Sequence, residues 1–420
     1  MTRRAASLIA ALCLAACGAR GGLRDPDPAA PVDAGATTDL GPSGAMCTTD
    51  SACTPTGDPC VAAACVAGRC VRRPVVFGSS PREFPVVGAT GHAARDGDGV
   101  VVITVRGAGA PNDSLGLQRV DLQGLLGTPI EVARVAGSRV WDADVIATRE
   151  GLVVVSHAGD RANLWHLDPR GTVRGPRGLA QPGNYLTLSE ADGGLVVSAD
   201  RGSGCALAWA RLDGQWRTAT WDEDPRACPA AQVGPIGTPA WRRAVGTVPG
   251  GAWFAALTSD GRLHRTEAAP GRVQTAVSRF ALADSDGAQY VRSLVAVEAG
   301  DRVAAVWVRT ANDAQPATMQ VREAVFDRQM RPLSRELSHD TMGLAYSPRM
   351  DIAYCHERFV SLWFDANTGS LTQNGLDGAP LTGAIKFGRG LNSIPVRLVC
   401  IPGGAVVAYQ GTVSVFRCGG

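Results

Sequence analysis

Beyond residue 71 apolar residues form no helical stripe longer than two turns. They alternate with polar ones or run unbroken for a few positions, each run introduced by a turn residue, and this pattern predicts short β-strands. The clearest runs open at Gly99, Gly151, Gly194, Gly251, Asp301, Arg358 and Gly404. Their first residues lie 52, 43, 57, 50, 57 and 46 positions apart. A second marker, an apolar residue followed by Asp at a hairpin corner, recurs out of phase as Val120-Asp121, Leu167-Asp168, Leu212-Asp213, Phe326-Asp327 and Leu376-Asp377. Asp at a turn start accepts a bond from its own backbone two residues on, so these acids are read as structural.

Two interleaved markers at one period mean one supersecondary unit repeated. With four short strands per unit, the pattern resembles a seven-bladed β-propeller, whose ring leaves only short, protected edges. The blades are expected to start near His92, Val140, Asn184, Thr238, Gln289, Leu344 and Asn392. The G-H…W-D signature, the Asp-box and the kelch glycine pairs are all missing, so the resemblance implies a fold and no activity. The last repeat is one strand short, and residues Val75 to Val87 are expected to supply it, antiparallel to 412–418.

The start of the chain carries an address. Arg3 and Arg4 precede a twelve-residue apolar stretch, Ala5 to Ala16, which suits a signal-peptide core and is too short to span a bilayer. Leu14-Ala15-Ala16-Cys17 resembles the lipobox of bacterial lipoproteins. That resemblance implies cleavage before Cys17 and lipidation of its thiol, and Gly18 at the next position implies the outer membrane, on its periplasmic face or at the cell surface. Residues 17–46 read as lipidated cysteine and flexible tether, rich in Pro, Ala, Gly, Asp and Thr.

Of twelve cysteines, Cys13 leaves with the signal and Cys17 takes the lipid, so ten remain for five bridges in an exported protein. Cys47, Cys53, Cys60, Cys65 and Cys70 crowd into residues 47–70, a module that resembles small EGF- or Dickkopf-like units. A zinc reading is disfavoured because no C-x-x-C pair occurs there. Five is odd, so one member must pair elsewhere. Cys70 with Cys418 is the expected closure of the 71–420 domain, with Cys205–Cys228 and Cys355–Cys400 as the remaining pairs.

Composition adds exclusions. The chain has 41 Lys and Arg against 39 Asp and Glu, and removal of Arg3 and Arg4 leaves 39 against 39. Such a balance lacks the electrostatic footprint of a nucleic-acid binder. The usual nucleophile, zinc-helix and phosphate-loop motifs are absent, no catalytic residue is assigned, and no metal or cofactor is expected. Asp96-Gly97-Asp98-Gly99 and Asp284-Ser285-Asp286-Gly287 lack the later acid of a calcium loop and read as turns. Trp253, Trp307 and Trp363 recur at one strand position, as do Trp165 and Trp209, and read as core.

Aligning the innermost strands on the seven markers yields candidates for an axial channel. Seven residues upstream lie His92, Asp144, Thr187, Ala244, Leu294, Asp351 and Arg397, and nine upstream lie Thr90, Asp142, Tyr185, Arg242, Arg292, Arg349 and Pro395. Residues two apart share a strand face, so most of the channel lining is polar. His92, Asp142, Asp144, Tyr185, Arg242, Arg292, Arg349, Asp351 and Arg397 are the candidate ligand contacts; arginine forks and orienting acids suit an anionic or sugar-like ligand. The other account is a ring of ion pairs without a ligand. Two functions follow: a monomeric, lipid-anchored binding protein for protein or glycan, or a polysaccharide hydrolase or lyase using channel acids.

Overall fold

The structure is a computed structural model that describes residues 45–106, 112–121, 123–124, 126–136, 140–148, 150–158, 161–179, 184–191, 194–200, 207–212, 222–224, 241–243, 245–248, 251–257, 263–269, 272–277, 290–310, 320–340, 349–365, 368–388, 396–409 and 411–419. Among them no helix is long and apolar enough to cross a membrane. The chain is all-β. Among the described residues a two-stranded hairpin is followed by six four-stranded sheets and one of five strands.

We number the larger sheets I–VII by their innermost strands, Ala89–Asp96, Val140–Thr148, Asn184–Ala191, Val245–Val248, Tyr290–Ala299, Arg349–Cys355 and Arg397–Ile401. Each inner strand turns through a two-residue hairpin into the apolar strand that the sequence marked, as Asp96 into Gly99 and Cys355 into Arg358. Where their side chains are described, these second strands are mostly buried on both faces, which is why they read as continuous apolar runs. All residues of Arg358–Phe364 and Gly404–Tyr409 are buried.

Consecutive sheets pack face to face in a circuit. One apolar cluster joins Ile103 and Leu115 of sheet I to Val145 and Val154 of sheet II, and another joins Val155 and Leu164 of II to Leu188 of III. The inner strands of III and IV touch. Trp253 of IV packs with Trp307 and Phe326 of V, Val306 of V with Trp363 of VI, and Leu362 of VI with Val407 and Phe416 of VII. The last cluster returns from Val406 and Val415 of VII to Val100 and Val102 of I. This is the arrangement of a β-propeller, and the three marker tryptophans are its wedges.

The turn role given to the corner aspartates holds at three of them, while Asp213 lies outside the described residues. Asp121 Oδ1 accepts the Gln123 amide at 2.8 Å, Asp168 Oδ1 the amides of Arg170 and Thr172 at 2.9 Å, and Asp377 Oδ1 the Ala379 amide at 3.0 Å. Gly124 completes the first of these turns at φ +80°, and a Cβ there would lie 2.0 Å from the Phe84 ring.

The N-terminal segment closes sheet VII. Arg82–Pro85 is its outer strand, antiparallel to Thr412–Arg417, inside the segment assigned to it from sequence. The cysteine closing that sheet is not the one expected. Cys70 pairs with Cys53 and Cys65 with Cys47, while Cys60 pairs with Cys418 across a Cα–Cα distance of 5.2 Å. The reason is the hairpin Val61–Val66 with Arg69–Pro74: its register sets Cys65 opposite Cys70, each bonded to a cysteine of the preceding loop, so Cys60 at the hairpin's base meets the chain end. With a sequence separation of 358 between its cysteines, this bridge is worth roughly 6 kcal/mol in the chain-entropy picture. Cys355–Cys400 forms as expected, and Cys205 and Cys228 lie outside the described residues.

A second difference concerns sheet IV. Its inner strand is Val245–Val248, whereas Trp241–Arg243 is a separate strand paired in parallel with the inner strand of sheet V, Arg242 opposite Leu294. Arg242 therefore does not occupy the inner strand of its own repeat.

Candidate functional site

Four of the axial candidates have described side chains that meet at one level: Asp351 in sheet VI, Arg397 in VII, His92 in I and Asp144 in II. Each stands five residues before the first residue of its hairpin turn. His92, Asp144 and Asp351 are buried, and the Arg397 side chain is 27% exposed.

The two aspartates do the same thing in two places. Asp144 Oδ1 accepts the amide of Val145 at 2.9 Å, and its Oδ2 accepts the amide of Leu188, on the inner strand of the next sheet, at 2.9 Å. Asp351 Oδ1 accepts from Ile352 at 3.0 Å and Oδ2 from Leu398, again on the next inner strand, at 2.7 Å. Inner strands of neighbouring sheets have no ladder between them, so a carboxylate bridging their amides is a staple that also satisfies buried donors. His92 Nδ1 lies 3.9 Å from Asp144 Oδ1, and Arg397 Nε lies 3.9 Å from Asp351 Oδ2. Burial pushes the Arg397 pKa down, but the carboxylates of Asp351 and Asp144 more than offset that and hold it above its ordinary value. In order around the axis stand an acid, an arginine, a histidine and an acid, so each carboxylate has a basic side chain beside it.

Arg349 is half-buried on the strand of Asp351, opposite Phe364. The side chains of Asp142, Tyr185, Arg242 and Arg292 lie outside the described residues. Their backbones place Asp142 opposite His157, Tyr185 in the irregular stretch between Asn184 and Thr187, and Arg292 at the register shift between Val291 and Ser293.

A second polar group, which the sequence reading missed, fastens the cysteine-rich module to sheets VI and VII. Arg358 is fully buried, with its guanidinium 4.2 Å from the Phe77 ring centre. Its Nη1 donates to the Val75 carbonyl at 2.6 Å, and its Nη2 reaches Cys418 Sγ at 3.4 Å. Burial lowers its pKa to about 10, which leaves it charged at neutral pH. His356 Nδ1 pairs with Asp58 Oδ2 at 2.7 Å and its Nε2 with the Gly404 carbonyl at 2.9 Å. Burial acts to raise the Asp58 carboxyl, yet the His356 bond and the Cys60 amide bring it below its usual value. Arg72 bonds Glu357 at 2.9 Å, and Gln373 Oε1 accepts the Phe77 amide at 2.9 Å. One signal was present in the sequence: Arg358 opens a strand run where most repeats have glycine.

Two clusters have metal-ligand residue types, Cys47 with Cys53 and Cys70, and Asp58 with Cys60 and His356. Their cysteines are all bridged, so neither offers a thiolate.

No family model matches the chain, and no curated protein matches it in sequence. Solved structures do. The chain is similar to the Dos1 propeller at 12% identity, covering 80% of this chain and 94% of that one with a TM-score of 0.44. A chain of the mitotic checkpoint complex matches at 11% identity over 82% of this chain and 94% of its own, TM-score 0.49. The AfRom2 CNH domain matches at 9% identity over 80% and 98%, TM-score 0.45.

Proposed function

We propose that this chain is a seven-bladed β-propeller, lipid-anchored through Cys17 to the outer membrane, that works as an interaction scaffold for protein or glycan. The observation that carries this reading is the position of the clasp. Asp58, Arg72 and Cys60 hold the module against His356, Glu357, Gly404 and Cys418, so it sits over the ends of sheets VI and VII where the two-residue hairpins lie. In sequence the tether precedes the module. The axial cluster stands five residues above those hairpins, about 16 Å at the rise of a strand. The longer connections, such as the nine residues between Thr310 and Gln320 and the twelve between Val277 and Tyr290, attach at the opposite end. Partners meet the face opposite the module.

Polysaccharide cleavage is not favoured, because Asp144 and Asp351 already have both carboxylate oxygens on backbone amides. The test has two arms. Cys17→Ser should move the protein from the membrane to the soluble fraction. Photo-crosslinkers at Val87 and Arg106 on the far face should capture surface protein or glycan, while one at Asp98 on the hairpin face should not. Unchanged membrane partition sinks the anchor, and capture confined to Asp98 sinks the orientation.

A further inference from the structure

We propose that the Cys60–Cys418 bridge is a redox-active clasp, a thiol–disulfide exchange site opened by a small thiol or a dithiol protein attacking at Cys418. Three observations converge on it. Access is one-sided: Cys60 is fully buried, whereas Cys418 is partly exposed beside the chain end. The charge is one-sided too, because the Arg358 guanidinium lies 3.4 Å from Cys418 Sγ and draws an incoming thiolate to that sulfur. The departing Cys60 sulfur has a proton source, since a His356 ring nitrogen and an Asp58 carboxylate oxygen lie within 4.8 Å of it and of each other. The neighbouring Cys355–Cys400 bridge has the same one-sided access, with Cys355 buried and Cys400 partly exposed, but Cys400 Sγ lies 3.2 Å from the Tyr354 carbonyl oxygen rather than a cation.

The exchange balances. A thiolate attacks Cys418 Sγ, the bond between the two cysteine sulfurs breaks, and its electron pair goes to Cys60 Sγ, which takes a proton from the His356 ring. A second thiolate attacks the external sulfur of the mixed disulfide and releases Cys418 as a thiolate facing Arg358. Two thiols are oxidised to one disulfide, and the protein bridge is reduced to two cysteines. Opening removes the disulfide between the module and the end of strand Thr412–Arg417, and leaves the N-terminal segment held by the Asp58–His356, Arg72–Glu357 and Arg358–Val75 contacts and the Arg82–Pro85 pairing.

The experiment takes the full oxidised chain, adds 2-mercaptoethanesulfonate or cysteamine at equal thiolate concentration, and quenches by alkylation at intervals for mass spectrometry. Cys60 and Cys418 should be labelled at least about tenfold faster than Cys355 and Cys400, and the anionic thiol should outpace the cationic one several-fold. Arg358→Met should collapse that ratio between thiols, a readout that a general loss of stability leaves alone. If the variant fails to fold, the order and the thiol preference of the unmodified protein still decide. Opening of Cys60–Cys418 no faster than Cys355–Cys400, no preference for the anionic thiol, or a preference unchanged in Arg358→Met overturns the proposal.

Discussion

Replacing Asp351 tests whether the axial acids are staples. The residue is 5% exposed, and its carboxylate accepts two amide bonds, from Ile352 at 3.0 Å and from Leu398 of the next sheet at 2.7 Å. A hydrogen bond to a charged acceptor contributes about 1.5–3 kcal/mol net, and an orphaned buried amide costs about 1–3 kcal/mol. Asp351→Ala removes both bonds, but it also removes the cost of keeping a carboxylate out of water, so we expect a loss of about 3 kcal/mol. Asp351→Asn should lose about half as much, because its amide oxygen can accept one N–H while its NH2 confronts the other. With a urea m-value of about 3 kcal/mol/M, the alanine variant should bring the unfolding midpoint down by about 1 M at unchanged slope. Asp144→Ala should behave alike, since its bonds to Val145 and Leu188 repeat the geometry. Midpoints within about 0.2 M of the parent would refute the staple and return both acids to the list of ligand contacts.

Two further outcomes follow. Asp327 is buried, which acts to raise its carboxyl, but the Arg331 amide and guanidinium bring it below the ordinary 3.8. A depressed carboxyl stabilises the fold above its unfolded value and loses that contribution as pH falls through the folded one. Asp327→Asn should therefore be less stable than the parent at pH 6 and indistinguishable from it at pH 2, by urea midpoint. Gly124→Ala should cost about 2 kcal/mol, given the positive φ and the Phe84 ring in the way, and less in a Phe84→Ala background; equal costs in the two would remove the steric account.

The clasp was the part of the molecule least legible beforehand. Cysteine counting showed that one of five crowded cysteines had to leave the module, yet the choice of Cys60 over Cys70 rests on the register of Val61–Val66 against Arg69–Pro74. His356 and Arg358 looked like a hairpin turn and a strand start. They became a docking site because residues 58 and 75–77, almost three hundred positions earlier, lie against them. Arg242 was misplaced for a related reason: a period of about fifty residues puts it on an inner strand, but the chain there supplies an extra parallel strand to the following sheet.

What the amino-acid order determined alone was everything with a short reach: the period of the strands, the aspartate corners, the tryptophan wedges and the need for a segment near residues 75–87 to finish sheet VII. These depend on alternation and turn chemistry within a few residues, and local physics reads them out. Only the tertiary structure decided which cysteine ties the ends, and that Asp144 and Asp351 face amides of the next inner strand. Those outcomes depend on which atoms are neighbours across a sheet boundary, and a side chain's type does not say whether a ligand or a backbone N–H will be waiting opposite it.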